Sequence, residues 1–467
     1  MKNETIINLF ENVQVGFMIN SNRVISGDIR LDSSHFVDDS NIELNSKIKF
    51  QPLRCFINNV EEPKLFTRIY CDKEFGVPYI SSSEMSEIEP PVNTRFISKT
   101  LTNNIEQYII KRGQILVSAA GTVGSIVVAT KELNGVAGTS DILRINVDQN
   151  ENLGFVYTYL TSSFGANELA NLAYGAIIKR IRGFHLAELK TPVIENEIRH
   201  KMNNLVLEAL EKRDESNILI QKARFLVHHY NNLSHLEDVV FDTIDSNKVT
   251  QIKLTNLTEF TNSYRLDSHF YNPISNKAIE DIRLNSKKLS EITNSIFMCD
   301  RFNRNYVEDG YGLPFLSGKN TIQIRPDVKY ISISETSSIE DLKLKKGWIT
   351  ITRSGTLGRV CFVWNNYEDF TATEDLIRVV ANDEIDSGYL YAFLSCDYGF
   401  HQILRYKHGA VIDHLSPEDM NNILVPVCKQ QKEIGDLVRK AYDLRAEAIR
   451  LEDEAQEILT QALTKNK

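Results

Sequence analysis

Two short glycine turns are the first places in this sequence where phosphate chemistry could occur. Gly121-Thr122-Val123-Gly124 lies in the first half of the chain, and Gly355-Thr356-Leu357-Gly358 lies in the second. A phosphate-binding P-loop needs the spacing G-x-x-x-x-G-K-[ST], whose lysine and hydroxyl hold phosphate and magnesium, and neither turn has it. The three-glycine spacing of a dinucleotide fingerprint is also absent. We therefore expect tight turns in which glycine adopts a positive φ.

Serine nucleophiles are the next candidates for chemistry. Ser118 and Ser354 lie beside the two turns, but a nucleophilic serine needs a base and an orienting acid nearby. The histidines of the two halves do not correspond, because His401, His408 and His414 face Asn167, Tyr174 and Arg180. The chain also lacks H-E-x-x-H, a clustered Asp/Glu-x-Lys nuclease pattern and the Asn/Asp-Pro-Pro-Tyr/Phe stretch of base methylation. We therefore expect no catalytic residue and no metal ligand. A duplicated enzyme whose active site has no recognisable motif is kept as an alternative hypothesis.

Polar and cationic side chains suited to DNA cluster at corresponding loops of the two halves. Arginine, lysine, asparagine and serine reach phosphates and base edges. One such residue alone is ordinarily a solvated surface charge, but recurrence in both halves favours a shared binding role. The candidate DNA-binding residues are Tyr174, Lys179, Arg180, Arg182, Arg301, Arg304, Lys319, Asn320, Arg353, Ser354, Arg405, Lys407 and His408.

These loops belong to an internal duplication. Arg30-Leu31-Asp32-Ser33 recurs as Arg265-Leu266-Asp267-Ser268. From Gly113 to Val193 the chain matches Gly347 to Val427 without a gap, so the offset between the copies is constant over this whole stretch. The two copies differ most in residues 37–112 and 272–346, and variation between the modules is expected there.

Each copy has the pattern of a globular module followed by a long helix. β-Branched runs on both sides of each glycine turn predict a hairpin. The apolar segments Gly154–Leu160 and Gly388–Leu394 predict short helices. Pro192 and Pro426 end the modules, since proline is excluded from helix interiors, and the long helices are expected just beyond them.

Both long helices carry heptad stripes. Apolar residues from Ile198 to Tyr230 and from Ile434 to Ala462 recur in steps of three and four, as in helices that pair through a seam. Two seams in one chain favour an antiparallel pair within the molecule over the alternative, a homodimeric coiled coil. The residues expected in the helix-pair or subunit interface are Ile198, Met202, Leu205, Leu219, Leu226, Leu437, Leu444, Leu451 and Ile458.

Composition narrows the class of protein. The 467 residues include 42% hydrophobic and 25% charged residues, which is ordinary for a globular protein of two or three domains. Six well-separated cysteines without a C-x-x-C pair argue against a zinc site or disulfides and predict a reducing, cytoplasmic location. We find no apolar run long enough to span a membrane and no secretion signal. The net charge of −9 means that DNA binding would rely on local clusters or on a partner.

The chain resembles the specificity (S) subunits of type I restriction–modification enzymes. Arg353-Ser354-Gly355-Thr356-Leu357-Gly358-Arg359-Val360 is similar to the family's S-G-T-x-G-x-V/A turn. Ile423-Leu424-Val425-Pro426 resembles the ending of its modules, and Lys429–Ile434 stands where a Glu-Gln helix start is usual. The first copy keeps the turn at Ala120–Gly124 but follows the ending loosely. The order module, helix, module, helix covers nearly the whole chain.

This resemblance implies an α+β fold with two duplicated target-recognition domains, mainly β with short helices, joined by two long helices in an antiparallel coiled coil. It places the first domain at 1–194, a central spacer helix at 195–233, the second domain at 234–427 with a linker at 234–263, and a C-terminal spacer helix at 428–467.

The implied function is non-catalytic recognition of a bipartite, asymmetric site in double-stranded DNA, directing adenine methylation or cleavage by other subunits. The expected partners are methyltransferase subunits, two in number, and restriction/translocase subunits. S-adenosylmethionine, ATP and magnesium would be used by those partners, and this chain would bind no cofactor. The alternatives are a protein-binding scaffold, which the acidic charge favours, and the specificity subunit of a type IIB-like or other methyltransferase-based defence system.

Overall fold

The computed structural model describes residues 48–91, 95–120, 124–174, 179–236, 265, 267–409 and 411–464. The predicted repeat at Arg30–Ser33 and most of the predicted linker lie outside these residues. The chain forms two compact units. Among the described residues, the first unit takes the chain up to Met85, Pro90–Leu207 and the part after Leu451, and the second takes Ser86–Glu89 and Glu208–Leu451.

The described part of the first unit is built on short strands in three groups. A four-stranded sheet has the order β2-β8-β5-β6, a three-stranded sheet has the order β4-β3-β7, and β1 pairs with β9. The strands are β1 Phe50–Pro52, β2 Asn59–Glu61, β3 Gly76–Ile80, β4 Phe96–Ser98, β5 Ile115–Ser118, β6 Ile126–Val128, β7 Ala137–Gly138, β8 Ile142–Asn146 and β9 Lys190–Pro192. Its short helices are α1 Leu153–Thr161, α2 Ser163–Leu172 and α3 Gly183–Ala187.

The second unit repeats this plan, with one more strand than the first over the residues described in each. Its sheets have the orders β11-β18-β15-β16 and β12-β14-β13-β17, and β10 pairs with β19. The strands are β10 Ser286–Lys288, β11 Thr293–Phe297, β12 Tyr306–Val307, β13 Gly312–Leu316, β14 Lys329–Ser332, β15 Ile349–Thr352, β16 Val360–Phe362, β17 Thr371–Ala372, β18 Leu376–Ala381 and β19 Leu424–Pro426. The helices around them are α5 Pro273–Ile282, α6 Ile339–Leu342, α7 Ser387–Leu394, α8 Asp397–Arg405 and α9 Pro417–Met420.

The duplication is visible in strand register as well as in strand order. Ile115 faces Ile145 in the first unit, and Ile349 faces Val379 in the second, so both members of the pair are displaced by the same offset. The hairpins predicted around the glycine turns are β5–β6 and β15–β16, both antiparallel. The predicted short helices are α1 and α7.

An arginine lies at the same place in both cores. Arg144 and Arg378 are 1% and 0% exposed in equivalent strands. Arg144 Nε donates to Glu61 at 3.0 Å, whereas Arg378 donates to the backbone oxygens of Ala372 at 3.0 Å and Leu376 at 3.2 Å. A buried guanidinium needs such acceptors because it stays charged. This recurrent arginine therefore supports the sheet.

The two long helices are α4, Asn196–Asn231, and α10, Gln431–Leu463. Within the second unit, Lys212 contacts Glu447 at 3.3 Å and Glu215 contacts Lys440 at 2.9 Å. The Tyr230 hydroxyl donates to Glu433 at 3.2 Å. Later residues of α4 thus meet earlier residues of α10, so the helices pack antiparallel. The fold class is α+β as predicted, with two duplicated modules and a pair of long helices.

The buried stripe of each helix differs from the predicted seam at every second position. Met202 and Leu451 are buried as predicted, but the seven other residues of the predicted interface are only partly buried: Ile198, Leu205, Leu219, Leu226, Leu437, Leu444 and Ile458. The buried heptad positions are Met202, Val206, Ala209, Arg213, Ser216, Ile220, Ala223 and Val227 in α4, and Ile434, Val438, Ala441, Arg445, Ala448, Glu452, Ala455 and Leu459 in α10. Three of the positions that differ from the prediction, Arg213, Arg445 and Glu452, are charged, and hydrophobic patterning does not place charged residues in a buried stripe.

The apolar face of the helix pair extends the core of the second unit. Ile220, Ala223 and Val227 of α4 and Val438 and Ala441 of α10 belong to one buried cluster with strands β15, β16 and β18. Burying each large aliphatic side chain stabilises a fold by about 1.5–3 kcal/mol. Tertiary packing therefore holds these helices together with the module.

Four residues from the first half of the sequence are built into the second unit. The backbone of Ile88 donates to Ile322 at 2.7 Å, and that of Ile324 donates to Ser86 at 2.8 Å. Arg359 Nη2 donates to the carboxylate of Glu87 at 2.6 Å. We call Ser86–Glu89 the inserted segment. In chain order it lies inside the predicted first recognition domain.

Glu89 of the inserted segment joins three side chains of the second unit. Its carboxylate contacts Arg224 at 2.5 Å and accepts hydrogen bonds from Arg445 at 3.0 Å and the Tyr391 hydroxyl at 3.1 Å. Burial by itself raises the pKa of Glu89, but the charges of Arg224 and Arg445 outweigh it, so the pKa falls to about 2. The carboxylate is therefore ionised at neutral pH.

Candidate nucleic-acid interface

The described glycines of the two turns all have a positive φ, as predicted for tight turns. Gly355, Gly358 and Gly124 have φ angles of 74°, 75° and 87°. In the second unit, Gly358 N donates to Thr352 O at 2.9 Å, and Arg359 N donates to Thr352 Oγ1 at 2.9 Å. These bonds occupy the backbone N–H groups of Gly358 and Arg359 within the turn itself. The turn serves to hold the chain on either side of it.

Beside each turn lies a loop closed by paired backbone. In the second unit, His408 and His414 form an antiparallel bridge, and His414 also pairs with Ser354. In the first unit, Tyr174 pairs with Arg180, and Arg180 pairs with Ala120. We call the segments 174–180 and 408–414 the bridged loops. Ala120, Tyr174 and Arg180 correspond to Ser354, His408 and His414 at the constant offset of the repeat. The two units therefore have the same backbone pairing at this site.

The next residue of each loop continues the match. Ile181 N donates to Ala119 O at 2.9 Å, and Leu415 N donates to Arg353 O at 3.0 Å. Backbone hydrogen bonds thus hold the base of each bridged loop against the residues that precede its glycine turn. The paired residues at these bases, Tyr174 with Arg180 and His408 with His414, therefore have fixed backbone positions.

Three cations lie on the bridged loop of the first unit or just after it. Lys179 is exposed, Arg180 lies 3.7 Å from Asp141, and Arg182 lies 2.6 Å from Glu62. The pKa of Arg182 is raised first by a hydrogen bond with Tyr174 and then by Glu62. Both arginine side chains remain about half exposed, at 45% and 52%. The four predicted residues of this unit therefore lie together.

The second unit gathers four predicted residues around the equivalent loop. Arg353 Nε donates to Leu415 O at 3.2 Å, and Ser354 lies in the backbone bridge with His414. Lys407 Nζ donates to Asp413 at 2.9 Å, and His408 Nδ1 lies 3.6 Å from Asp419. The acidic neighbours of Lys407 and His408 reduce the local positive charge. Groups of this kind reach phosphates and base edges.

Arg304 takes part in a second duplicated contact. Its Nη2 donates to Thr373 Oγ1 at 3.0 Å and to Glu374 at 2.8 Å, and its guanidinium lies 5.6 Å from the centre of the Phe315 ring. In the first unit, Arg68 donates to Thr139 at 3.3 Å and lies 5.8 Å from the ring of Tyr79.

Sequence reasoning missed Arg68. The sequence does relate Arg68 to Arg304. The Gly-x-Pro segment Gly76–Ile80 recurs as Gly312–Leu316, at a slightly larger offset than the rest of the repeat. When equal distances are counted back from Gly76 and from Gly312, Arg68 pairs with Arg304.

The other predicted residues of the second unit have varied surroundings. Arg405 packs over the Phe270 ring at 4.0 Å and donates to Asn276 at 2.5 Å. Asn320 Oδ1 accepts from Ser317 N at 2.9 Å, which organises a turn. Arg301 and Lys319 are exposed. Arg405 and Asn320 thus have structural contacts that their sequence positions did not indicate.

One group of possible metal-binding side chains occurs in the part of the chain that the structure describes. Donor atoms of His228, His235 and Asp397 lie within 4.8 Å of one another. His228 Nε2 is 2.7 Å from Asp397. Burial raises the pKa of Asp397, but the hydrogen bond and charge of His228 outweigh it and lower the pKa overall. The direct histidine–carboxylate contact accounts for the close approach of these side chains.

The chain belongs to the family of the type I restriction modification DNA specificity domain. The family model matches residues 58–226 and 283–454, one match for each copy of the duplication. This double match defines the class of protein to which the chain belongs. No curated protein matches the chain significantly. Among the described residues, no helix is long and apolar enough to cross a membrane.

Solved structures similar to the chain include S subunits of type I systems. The S subunit of a type I restriction–modification system from M. genitalium has 17% identity and a TM-score of 0.34, with 93% of this chain and 99% of that chain covered. The HsdS subunit from Thermoanaerobacter tengcongensis has 13% identity and a TM-score of 0.27, with 91% and 99% covered. The type IIG restriction endonuclease BpuSI has 10% identity and a TM-score of 0.25, with 49% and 38% covered.

Proposed function

We propose that this chain is the non-catalytic DNA-recognition subunit of a type I restriction–modification complex. It reads a bipartite, asymmetric site in double-stranded DNA and directs adenine methylation or cleavage by its partners. The observation that carries this proposal is the bridged loop, built twice on the same backbone network but with different side chains at equivalent positions. A duplicated frame with different contact residues suits two modules that read different half-sites.

The side chains of the two bridged loops support different readouts. Tyr174 and Arg180 of the first loop correspond to His408 and His414 of the second. Arginine bonds guanine in two places, whereas the two ring nitrogens of histidine point in different directions, so that one of them at a time can reach a given base edge. Residues 37–112 and 272–346 differ as well. The recognised site is therefore asymmetric.

The two long helices serve as the spacer between half-sites. Helices of 36 and 33 residues extend roughly 50 Å at about 1.5 Å per residue. One turn of DNA separates half-sites by about 34–36 Å. A rigid spacer of this length sets a fixed gap between the bases that each module reads.

The chemistry belongs to partner subunits in this proposal. Two methyltransferase subunits bind the helices and modules, and restriction/translocase subunits join for cleavage. S-adenosylmethionine, ATP and magnesium are used by these partners, and the complex works in the cytoplasm. The net charge of −9 means that DNA binding relies on the local cationic clusters or on a partner that supplies more positive charge.

The experiment is a methylation map. The full chain is combined with the methyltransferase subunits of its own host and presented with random duplex DNA, and methylated adenines are located by sequencing. We expect two short, different half-sites with a constant gap. A complex that neither shifts duplex DNA in a gel nor methylates it would support the scaffold alternative.

A further inference from the structure

The second bridged loop has an exposed apolar tip. Val411 is 96% exposed and Ile412 is 57% exposed. Below them, His408 N donates to His414 O at 3.0 Å, and His414 N donates to His408 O at 2.6 Å. Two large β-branched side chains are thus held outward on a closed backbone base. Neighbouring exposed apolar residues of this kind commonly mark a binding site.

The apolar character of the tip is retained in both halves of the sequence. Ile177 and Ile178, which lie outside the described residues, correspond in sequence to Val411 and Ile412. The loop residues around them do change, since Tyr174 corresponds to His408 and Lys179 to Asp413. A side chain that reads a base should change between modules with different half-sites. The retained apolar pair therefore has a role that does not depend on base sequence.

Polar groups surround the tip on its own unit. Lys407 and His408 precede it, and Asp413 and His414 follow it. Lys407 Nζ donates to Asp413 at 2.9 Å, and Arg353 Nε donates to Leu415 O at 3.2 Å. Cationic groups beside an apolar projection match DNA, whose phosphates flank an apolar stack of bases. Proteins that deform DNA insert leucine, isoleucine or similar side chains between base steps while cations hold the phosphates.

We propose that Val411 and Ile412 form a wedge that enters the base stack of the half-site bound by the second unit. This inference rests on the proposed function and extends it. A base within a duplex must leave the stack before it can be methylated. A wedge on the recognition subunit unstacks the DNA locally, which lowers the cost of base extrusion for the methyltransferase partner.

The test uses the complete complex and a half-site duplex that carries 2-aminopurine, whose fluorescence rises when it unstacks. Binding of the wild-type complex should raise the fluorescence severalfold at one step of the second half-site. The double variant Val411→Thr/Ile412→Thr keeps the β-branched side chains of the tip but replaces most of its apolar surface with hydroxyl groups. It should abolish most of the rise and slow methylation at that half-site at least tenfold.

Leu284→Thr is the matched control, because Leu284 is 95% exposed in the same unit but lies outside the loop. It should leave fluorescence and methylation unchanged. An equal fluorescence rise with wild type and the double variant overturns the wedge. Replacing thymine by uracil tests a thymine-methyl contact: a loss of binding on uracil DNA without any fluorescence rise also overturns it. If the wild-type complex binds no DNA, the proposed function itself fails, which a gel shift shows separately.

Discussion

Arg445 donates a hydrogen bond to Glu89 at 3.0 Å across 356 residues of chain. Replacing Glu89 by glutamine removes the charge that Arg224 and Arg445 share. Breaking a partly buried ion network from one side leaves uncompensated charge and costs about 3–5 kcal/mol. We expect this loss in urea unfolding at pH 7. Glu211→Gln, at an exposed position of the same unit, should change stability by under about 0.5 kcal/mol. A loss below about 1 kcal/mol for Glu89→Gln would contradict this role.

The same carboxylate predicts a pH dependence. Its pKa falls from an ordinary 4.5 to about 2 in the folded protein. A lowered pKa contributes stability that is complete above the unfolded-state value and is lost as the pH falls through the folded-state value. The stability difference between wild type and Glu89→Gln should therefore be constant from pH 7 to about 5.5 and narrow progressively towards pH 2. Unfolding curves at each pH measure it, and a gap that widens on acidification would exclude this assignment.

Lys179 should contact a phosphate. It is exposed on the first bridged loop and has no ion pair within the described ranges of the chain. Lys179→Ala should weaken binding of the complex equally on all sequences and reduce the slope of log affinity against log salt by about 1. Lys201→Ala, on the exposed face of α4, is the control and should leave the slope unchanged. Loss of preference at one base position would instead identify Lys179 as a base-reading residue.

Arg68 and Arg304 should each affect one half-site. They make equivalent contacts with Thr139 and Thr373 in separate units. Arg68→Ala should alter preference in the first half-site only, and Arg304→Ala in the second only. Each variant is the control for the other when methylated sites are selected from a random pool. A change at both half-sites from a single substitution would show that the arginine acts through overall stability.

The long helices should set the gap. Removing one heptad from α4 and one from facing positions of α10 keeps the buried stripes in phase, because those stripes have a heptad repeat. The accepted gap should shorten while both half-site sequences stay the same, as read from a methylation map. Removing a heptad from α4 alone should disrupt assembly. A gap unchanged by the paired deletion would contradict the spacer role.

The sequence predicted what depends on local pattern and on register. β-Branched runs around the glycine turns located both hairpins, and apolar segments located both short helices. The two copies correspond there at a constant offset, because no insertion separates them. The offset is larger at Gly76 and Gly312 than at Gly113 and Gly347, and Arg68 was missed for that reason. The helix seam was displaced because Arg213 and Arg445 are buried in it, where patterning expects apolar side chains.

Contacts between distant parts of the chain could not be predicted. Nothing in the composition of Ser86–Glu89 indicates that it packs in the second unit, since its partners lie far away in the sequence. The apolar loop tip was visible in the sequence but could not be distinguished from a buried strand. Only the 96% exposure of Val411 makes it a candidate for binding.

The inserted segment restricts how such proteins can acquire new specificities by recombination. A chimera that receives a foreign first module replaces the chain that supplies Glu87 and Glu89, and with them the partners of Arg359 and Arg445. Such an exchange keeps the full stability of the second unit only if the incoming module carries carboxylates at the same two places. The inserted segment therefore limits which first modules can be combined with a given second unit. Stable hybrids should be those in which donor and recipient have the same acidic residues in this segment.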